Sequence, residues 1–159
     1  MKKFLSIISL SILLVGNTSC LKDKEACTPK SLQSESAAIS AYATANGING
    51  TTHASGIYYE ILNAGTGNFP TASSTITANY VGRFISNNTI FDQSTPATGP
   101  IVFNLNGVIA GWQIAIPLAK KGQTIKMIIP SSLAYGCTGR GSIGPDEVLY
   151  FEVTLVDVQ

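Results

Sequence analysis

The chain has 159 residues, which suits one domain with additional segments. Its ten Lys+Arg against nine Asp+Glu give a formal charge of +1, and no basic patch stands out, which excludes nucleic acid as an expected partner. Charged residues make up only 12% and hydrophobic ones 45%, so a well-filled core under an uncharged, Ser/Thr/Asn-rich surface is expected.

The first segment is not fold. Met1-Lys2-Lys3 is a basic start, and Phe4 to Val15 is an apolar run broken only by Ser6, Ser9 and Ser11. That run is shorter than the about 20 residues a helix needs to cross a hydrocarbon core of roughly 30 Å. Basic start, apolar run and small residues together predict a secretory signal over residues 1–19. Thr18-Ser19-Cys20 resembles a bacterial lipoprotein box, with Cys20 as the lipidated first mature residue, although Asn17 stands where Leu is usual. The other reading is plain cleavage near Ser19 that leaves Cys20 an ordinary thiol. Acyl chains would hold the protein to a membrane by roughly 0.8 kcal/mol per buried CH2. The expected address is the bacterial cell envelope: the periplasmic side of the inner or outer membrane, or the cell surface. Without residues 1–19, eight Lys+Arg face nine Asp+Glu.

Residues 20–30 read as a tether, with a charged stretch from Lys22 to Glu25 and then Pro29. If Cys20 is acylated, Cys27 and Cys137 remain as an even pair. An oxidising compartment permits a disulfide between them, and two free thiols are the alternative. Residues 31–55 are expected to hold an N-terminal helix and a linker. Ser31 or Ser34 can cap a helix running to Asn46, Ala37, Ala38, Ala41, Ala43 and Ala45 favour it, and Gly47 ends it. His53, the only histidine, lies in a polar loop and reads as a surface residue.

From Gly56 to Gln159 the pattern changes. Ile57, Tyr59 and Ile61 alternate as a strand, and so do Ile76, Ala78, Tyr80, Gly82 and Phe84. Thr89 to Asp92 is a short returning strand, and Ile101, Phe103 and Leu105 alternate on another. Residues 109–121 look helical, with Pro117 inside as a kink or late start. Ile125, Met127 and Ile129 mark a strand, and Leu149, Phe151, Val153 and Leu155 a last one. Pro130 to Pro145 is a long loop, a length that usually signals function or disorder. These elements predict an α+β domain: a twisted antiparallel sheet of five to six strands wrapped around a short helix, preceded by the N-terminal helix.

Tyr80-Val81-Gly82, Phe91-Asp92, Phe103-x-Leu105, Val108-Ile109-x-Gly111-Trp112, Leu133-Ala134-Tyr135-Gly136 and Phe151 occur in one order. This ordered set resembles the FKBP-type peptidyl-prolyl cis–trans isomerases over residues 56–159. The resemblance implies a proline-sized pocket with Trp112 as floor and Tyr80, Phe91 and Phe151 as aromatic walls. Val108, Ile109 and Ile143 would line its sides, and Ile101 falls where the family usually has an aromatic. The implied catalytic groups are Tyr80, Asp92 at the rim, the backbone N–H of Ile109 and the hydroxyl of Tyr135. Three departures stand out. The loop after Asp92 has no arginine, which leaves Asp92 without its usual holder. Gly144 replaces a proline of the Ile-Pro pair, and the loop around Arg140 and Gly141 is about one residue shorter than in small family members.

The resemblance implies no cofactor and no metal. Its expected partners are proline-containing polypeptides and, as inhibitors, macrolides. The Xaa-Pro barrier of about 18–20 kcal/mol arises from amide resonance, so a pocket can act without forming a bond. The expected function is isomerisation of Xaa-Pro bonds in exported proteins. The alternatives are a proline-segment binding module and a chaperone with little turnover.

Overall fold

The computed structural model describes residues 27–159. The expected signal peptide, Cys20 and most of the tether lie outside the described residues.

Helix α1 spans Leu32–Ala45. The Ser31 hydroxyl caps it by accepting the Ser34 N–H at 3.3 Å, and its exit runs through Asn46 to Gly47 at φ +61°. Seven strands follow, with α2 among them: β1 Thr51–Thr52, β2 Tyr58–Leu62, β3 Thr75–Phe84, β4 Ile90–Gln93, β5 Ile101–Asn104, α2 Ala110–Ala115, β6 Thr124–Ile129 and β7 Leu149–Val158. They form one antiparallel sheet in the order β1-β2-β6-β7-β3-β4, with β5 paired to the first half of β3. The seventh strand is β1, in a stretch that reads as a polar loop; Thr51 and Thr52 pair with Tyr59 and Tyr58 and extend the sheet edge. His53 sits at this turn. It is half-buried, its carbonyl accepts the Gly56 N–H, and its Nδ1 accepts the Ser55 N–H at 3.1 Å.

The two faces of the sheet carry separate cores. Inward residues alternate along each long strand: Ile76 and Ala78 on β3, Ile125, Met127 and Ile129 on β6, and Leu149, Phe151, Val153 and Leu155 on β7. They close around Trp112, Ala115 and Ile116 of the α2 region. Gly111 permits this close approach, because a Cβ there would run into the Ile129 side chain. The opposite face is covered by α1, where Ile39, Tyr42 and Ala43 pack with Ile48, Ile128, Val148 and Tyr150. Tyr42 also donates to Asn88 Oδ1 at 2.8 Å.

The helix expected over 109–121 is shorter. Pro117 has no N–H to donate to the Gln113 carbonyl, so α2 stops at Ala115 and a 3-10 turn of Ile116–Leu118 finishes the segment. The long loop after β6 is ordered by two further 3-10 turns, Ser131–Leu133 and Gly136–Thr138. Cys137 in that loop is disulfide-bonded to Cys27, with Cα atoms 5.7 Å apart and a sequence separation of 110.

Candidate active site

Between α2, β3, β4 and the loop after β6 lies a cavity of about 230 Å³, lined by Tyr80, Phe91, Asp92, Ile101, Gly107, Val108, Ile109, Trp112, Tyr135, Arg140 and Phe151. Sites for drug-sized ligands usually run about 300–1,000 Å³, so this one encloses a residue-sized group and leaves the rest of a larger ligand at its open rim. Larger clefts of about 510, 470 and 510 Å³ open elsewhere, the first under loop 94–100 and the other two beside α1. None of them is lined by Trp112, Phe91 or Phe151, so the candidate site is the smaller cavity, where Trp112, Tyr80, Phe91 and Phe151 converge on the Asp92 carboxylate and the Tyr135 hydroxyl.

Trp112, 5% exposed, forms the base of that cluster. Tyr80 and Phe151 meet it edge-on, with ring centroids 5.6 and 5.2 Å away, and Phe103 packs behind it at 5.3 Å. Phe91 stands edge-on to Phe151 at 5.5 Å. Such contacts fix ring orientation and contribute about 0.5–1.5 kcal/mol each beyond burial.

Phe91 and Asp92 are consecutive, and in a regular strand they would point to opposite faces. Both line the cavity because β4 bulges. Gly82 pairs with Asp92 but Arg83 pairs with Ile90, which leaves Phe91 as the extra residue. Bulges of this kind re-aim side chains beside active sites. Gly82 opposite the bulge leaves room for the rings.

Asp92 is not without a holder. Its Oδ2 accepts the Tyr80 hydroxyl at 2.6 Å, which replaces the arginine that its own loop lacks. Burial, the hydrogen bond and charge of Asp92, and then the nearby Tyr135 phenol raise the Tyr80 pKa far above the ordinary phenol value. Tyr80 is therefore a permanent donor near neutral pH.

Ile109 precedes α2 as its N-cap residue, and its carbonyl accepts the N–H groups of Trp112 and Gln113. Among the described residues no backbone acceptor takes the Ile109 N–H. The carbonyl of the same peptide unit, that of Val108, accepts Gln113 Nε2 at 2.7 Å. Fixing the carbonyl on one side of a planar peptide fixes the N–H on the other. Gln113 is thus a positioning residue that sequence reading misses, since a polar residue on a short helix gives no signal.

Ile143, expected in the lining, is instead in the core. It is 9% exposed and packed with the α2-side cluster. Reciprocal hydrogen bonds between the backbones of Arg140 and Ile143, at 2.8 and 2.9 Å, close a tight hairpin that puts Arg140 over the cavity. Arg140 and Gly107 are the two lining residues not foreseen. A lone cation in a glycine-bearing loop was the available clue for the first, and a glycine offers none.

The profile of the FKBP-type peptidyl-prolyl cis–trans isomerases matches residues 66–156, more than half of the chain. The peptidyl-prolyl cis-trans isomerase Mip of Coxiella burnetii is 44% identical over 109 residues, covering 68% of this chain and 47% of that protein. The outer membrane protein MIP of Legionella longbeachae is 41% identical over 106 residues, covering 66% of this chain and 45% of that protein. A crystal structure of a peptidyl-prolyl cis-trans isomerase from Pseudomonas syringae pv. tomato superposes with a TM-score of 0.67 at 33% identity, covering 83% of this chain and 98% of that one. The fold and the aromatic cavity thus define a proline-isomerase class of domain. The chain belongs to the FKBP-type peptidyl-prolyl cis–trans isomerase family. It spans about half the length of the curated relatives it matches.

Proposed function

We propose that the chain is a peptidyl-prolyl cis–trans isomerase of the bacterial envelope, acting on Xaa-Pro bonds in unfolded or flexible segments of exported proteins. The observation that carries this reading is the Trp112-based cavity, aromatic and aliphatic except for the Tyr80–Asp92 pair, Tyr135 and Arg140. Catalysis needs interactions stronger in the twisted amide than in the planar one. An apolar pocket disfavours the charge-separated planar resonance form. The Ile109 N–H would hold a substrate carbonyl, and the Tyr135 hydroxyl would favour the twisted geometry from the loop side. Asp92, held by Tyr80, marks the rim; Ile101, Val108 and Phe91 shape the walls. The mechanism calls for no covalent intermediate and no cofactor. The same pocket would take the macrolide inhibitors of the family.

The envelope address draws support from the basic, apolar start of the sequence and from the Legionella relative named as an outer membrane protein. Lipid on Cys20 would anchor the mature chain, and the Cys27–Cys137 bridge suits an oxidising compartment.

Relaxation of an Xaa-Pro tetrapeptide from a cis-enriched state tests the activity. The chain should accelerate it, and Phe151→Ala or Tyr80→Ala, still folded, should lose most of the acceleration. A folded chain that binds the peptide without accelerating it would instead be a binding module, a reading kept open by Ile101 at a usually aromatic position.

A further inference from the structure

Residues 27–45 precede the stretch that the family profile matches, yet they touch the Tyr135 loop at two places. On α1, Glu35 is 4% exposed, and its Oε2 accepts the backbone N–H of Ser131 at 2.9 Å. Ser131 opens the 3-10 turn that leads into Ala134-Tyr135-Gly136. On the far side, Cys137 is bonded to Cys27. Tyr135 is therefore bracketed by two links to the N-terminal segment.

The backbone hydrogen bonds next to Tyr135 stay within its own loop. Gly139 N–H donates to the Tyr135 carbonyl, Ala134 N–H to the Ser131 carbonyl and Asp146 N–H to the Gly136 carbonyl. Packing of Leu133, Ala134 and Tyr135 against the α2-side core is the loop's other hold, and anchoring both of its flanks further reduces the conformational freedom it must lose when it engages a substrate. The Glu35 contact is also a costly way merely to dock a helix. Among the described residues its Oε1 and the Ser131 Oγ are buried with no hydrogen-bond partner, and no ion pair involves Glu35. An apolar side chain would serve simple docking better.

We propose that the N-terminal segment is a positioning clamp for the Tyr135 hydroxyl, with Glu35 gripping the loop at Ser131 and the Cys27–Cys137 bridge gripping it at the other end. This rests on reading the cavity as an isomerase site. Glu35 touches no substrate; it acts through Tyr135. Cys27 is exposed, so a thiol reductant can reach the bridge and release one grip.

The test uses the full chain with Glu35→Ala, Glu35→Gln and reduced forms, each with Tyr135 intact or as Tyr135→Phe. It reads isomerisation kcat and KM together with amide hydrogen exchange across residues 132–139. With Tyr135 intact, Glu35→Ala should lower kcat by about three- to tenfold with KM little changed. Glu35→Gln should stay within about twofold, because its amide oxygen still accepts the Ser131 N–H. Reduction should lower kcat in the same direction, and in the Tyr135→Phe background the losses from Glu35→Ala and from reduction should both vanish, since the residue the clamp serves is already disabled. Exchange across 132–139 should rise in Glu35→Ala and on reduction while β3 and β7 stay protected. Equal losses in both backgrounds, or unchanged exchange across 132–139, would overturn the clamp. Should Glu35→Ala fail to fold, the reduced chain decides by the same two readings. A wild-type chain with no turnover would sink the isomerase reading alone, and the exchange measurement would still decide on the clamp.

Discussion

A methyl group added at Gly82 would lie 2.7 Å from Phe91 Cζ and 3.0 Å from Phe151 Cε1. Real side chains do not tolerate that, so Gly82→Ala must push both walls of the cavity outward. We expect it to destabilise the fold by about 1–3 kcal/mol and to cut kcat/KM more strongly than its change in Tm suggests. Gln113 acts differently. Gln113→Leu leaves the core untouched but frees the Val108 carbonyl, and it should lower kcat/KM by about three- to tenfold with Tm almost unchanged. The Tyr80–Asp92 pair gives a pH prediction. The native Tyr80 pKa is raised above the unfolded value of about 10, so its contribution to stability is complete below about pH 10 and is lost as pH rises beyond it. From neutral pH up to that point the difference in stability between wild type and Tyr80→Phe should be flat, and above it the difference should shift against wild type, as followed by chemical denaturation. At this scale the sequence disclosed residue types better than their partners. The aromatic set and Asp92 were legible in order, but the Tyr80–Asp92 bond depends on a bulge, Gln113 carries no pattern, and Arg140 offered only the clue of a lone cation in its loop.

Strand alternation was the most legible element-level signal, because one face of each long strand is packed around α2. It picked out Ile125, Met127 and Ile129 as one face but was silent on the other: the adjacent Ile128 is equally buried, under α1, and an apolar run gives no sign that the second face is covered too. The length of α2 was misjudged because Pro117 limits the helix at a point that sequence alone leaves open. Strand β1 was missed because two threonines paired at a sheet edge look like any polar loop. The covering role of α1 is testable: Ile128→Ala should cost about 2–5 kcal/mol and raise hydrogen exchange along α1. Unchanged exchange in α1 would show that the helix does not depend on the sheet.

For the whole molecule, the N-terminal segment is more than a spacer. It supplies the second core, a buried carboxylate at Ser131 and one half of the disulfide. Closing a loop of this length limits the unfolded chain, and reduction should lower stability by up to about 4–5 kcal/mol in thermal or denaturant unfolding. Cysteine parity and the place of Cys137 in the long loop pointed to that pairing, whereas nothing in the sequence pointed to the Glu35 contact beside it. On the proposed function, a cavity without a nucleophile isomerises proline bonds through its shape and fixed donors. Ile109 has φ −58° and ψ 150°, and Val108 before it is extended, so proline fits at position 109 and deletes only the N–H and part of the side chain. The most direct measurement compares kcat/KM of Ile109→Pro with that of Ile109→Ala on one Xaa-Pro peptide. Ile109→Ala should keep most of the activity and Ile109→Pro should fall below it by about tenfold or more; equal activities in the two folded variants would show that the Ile109 N–H plays no part.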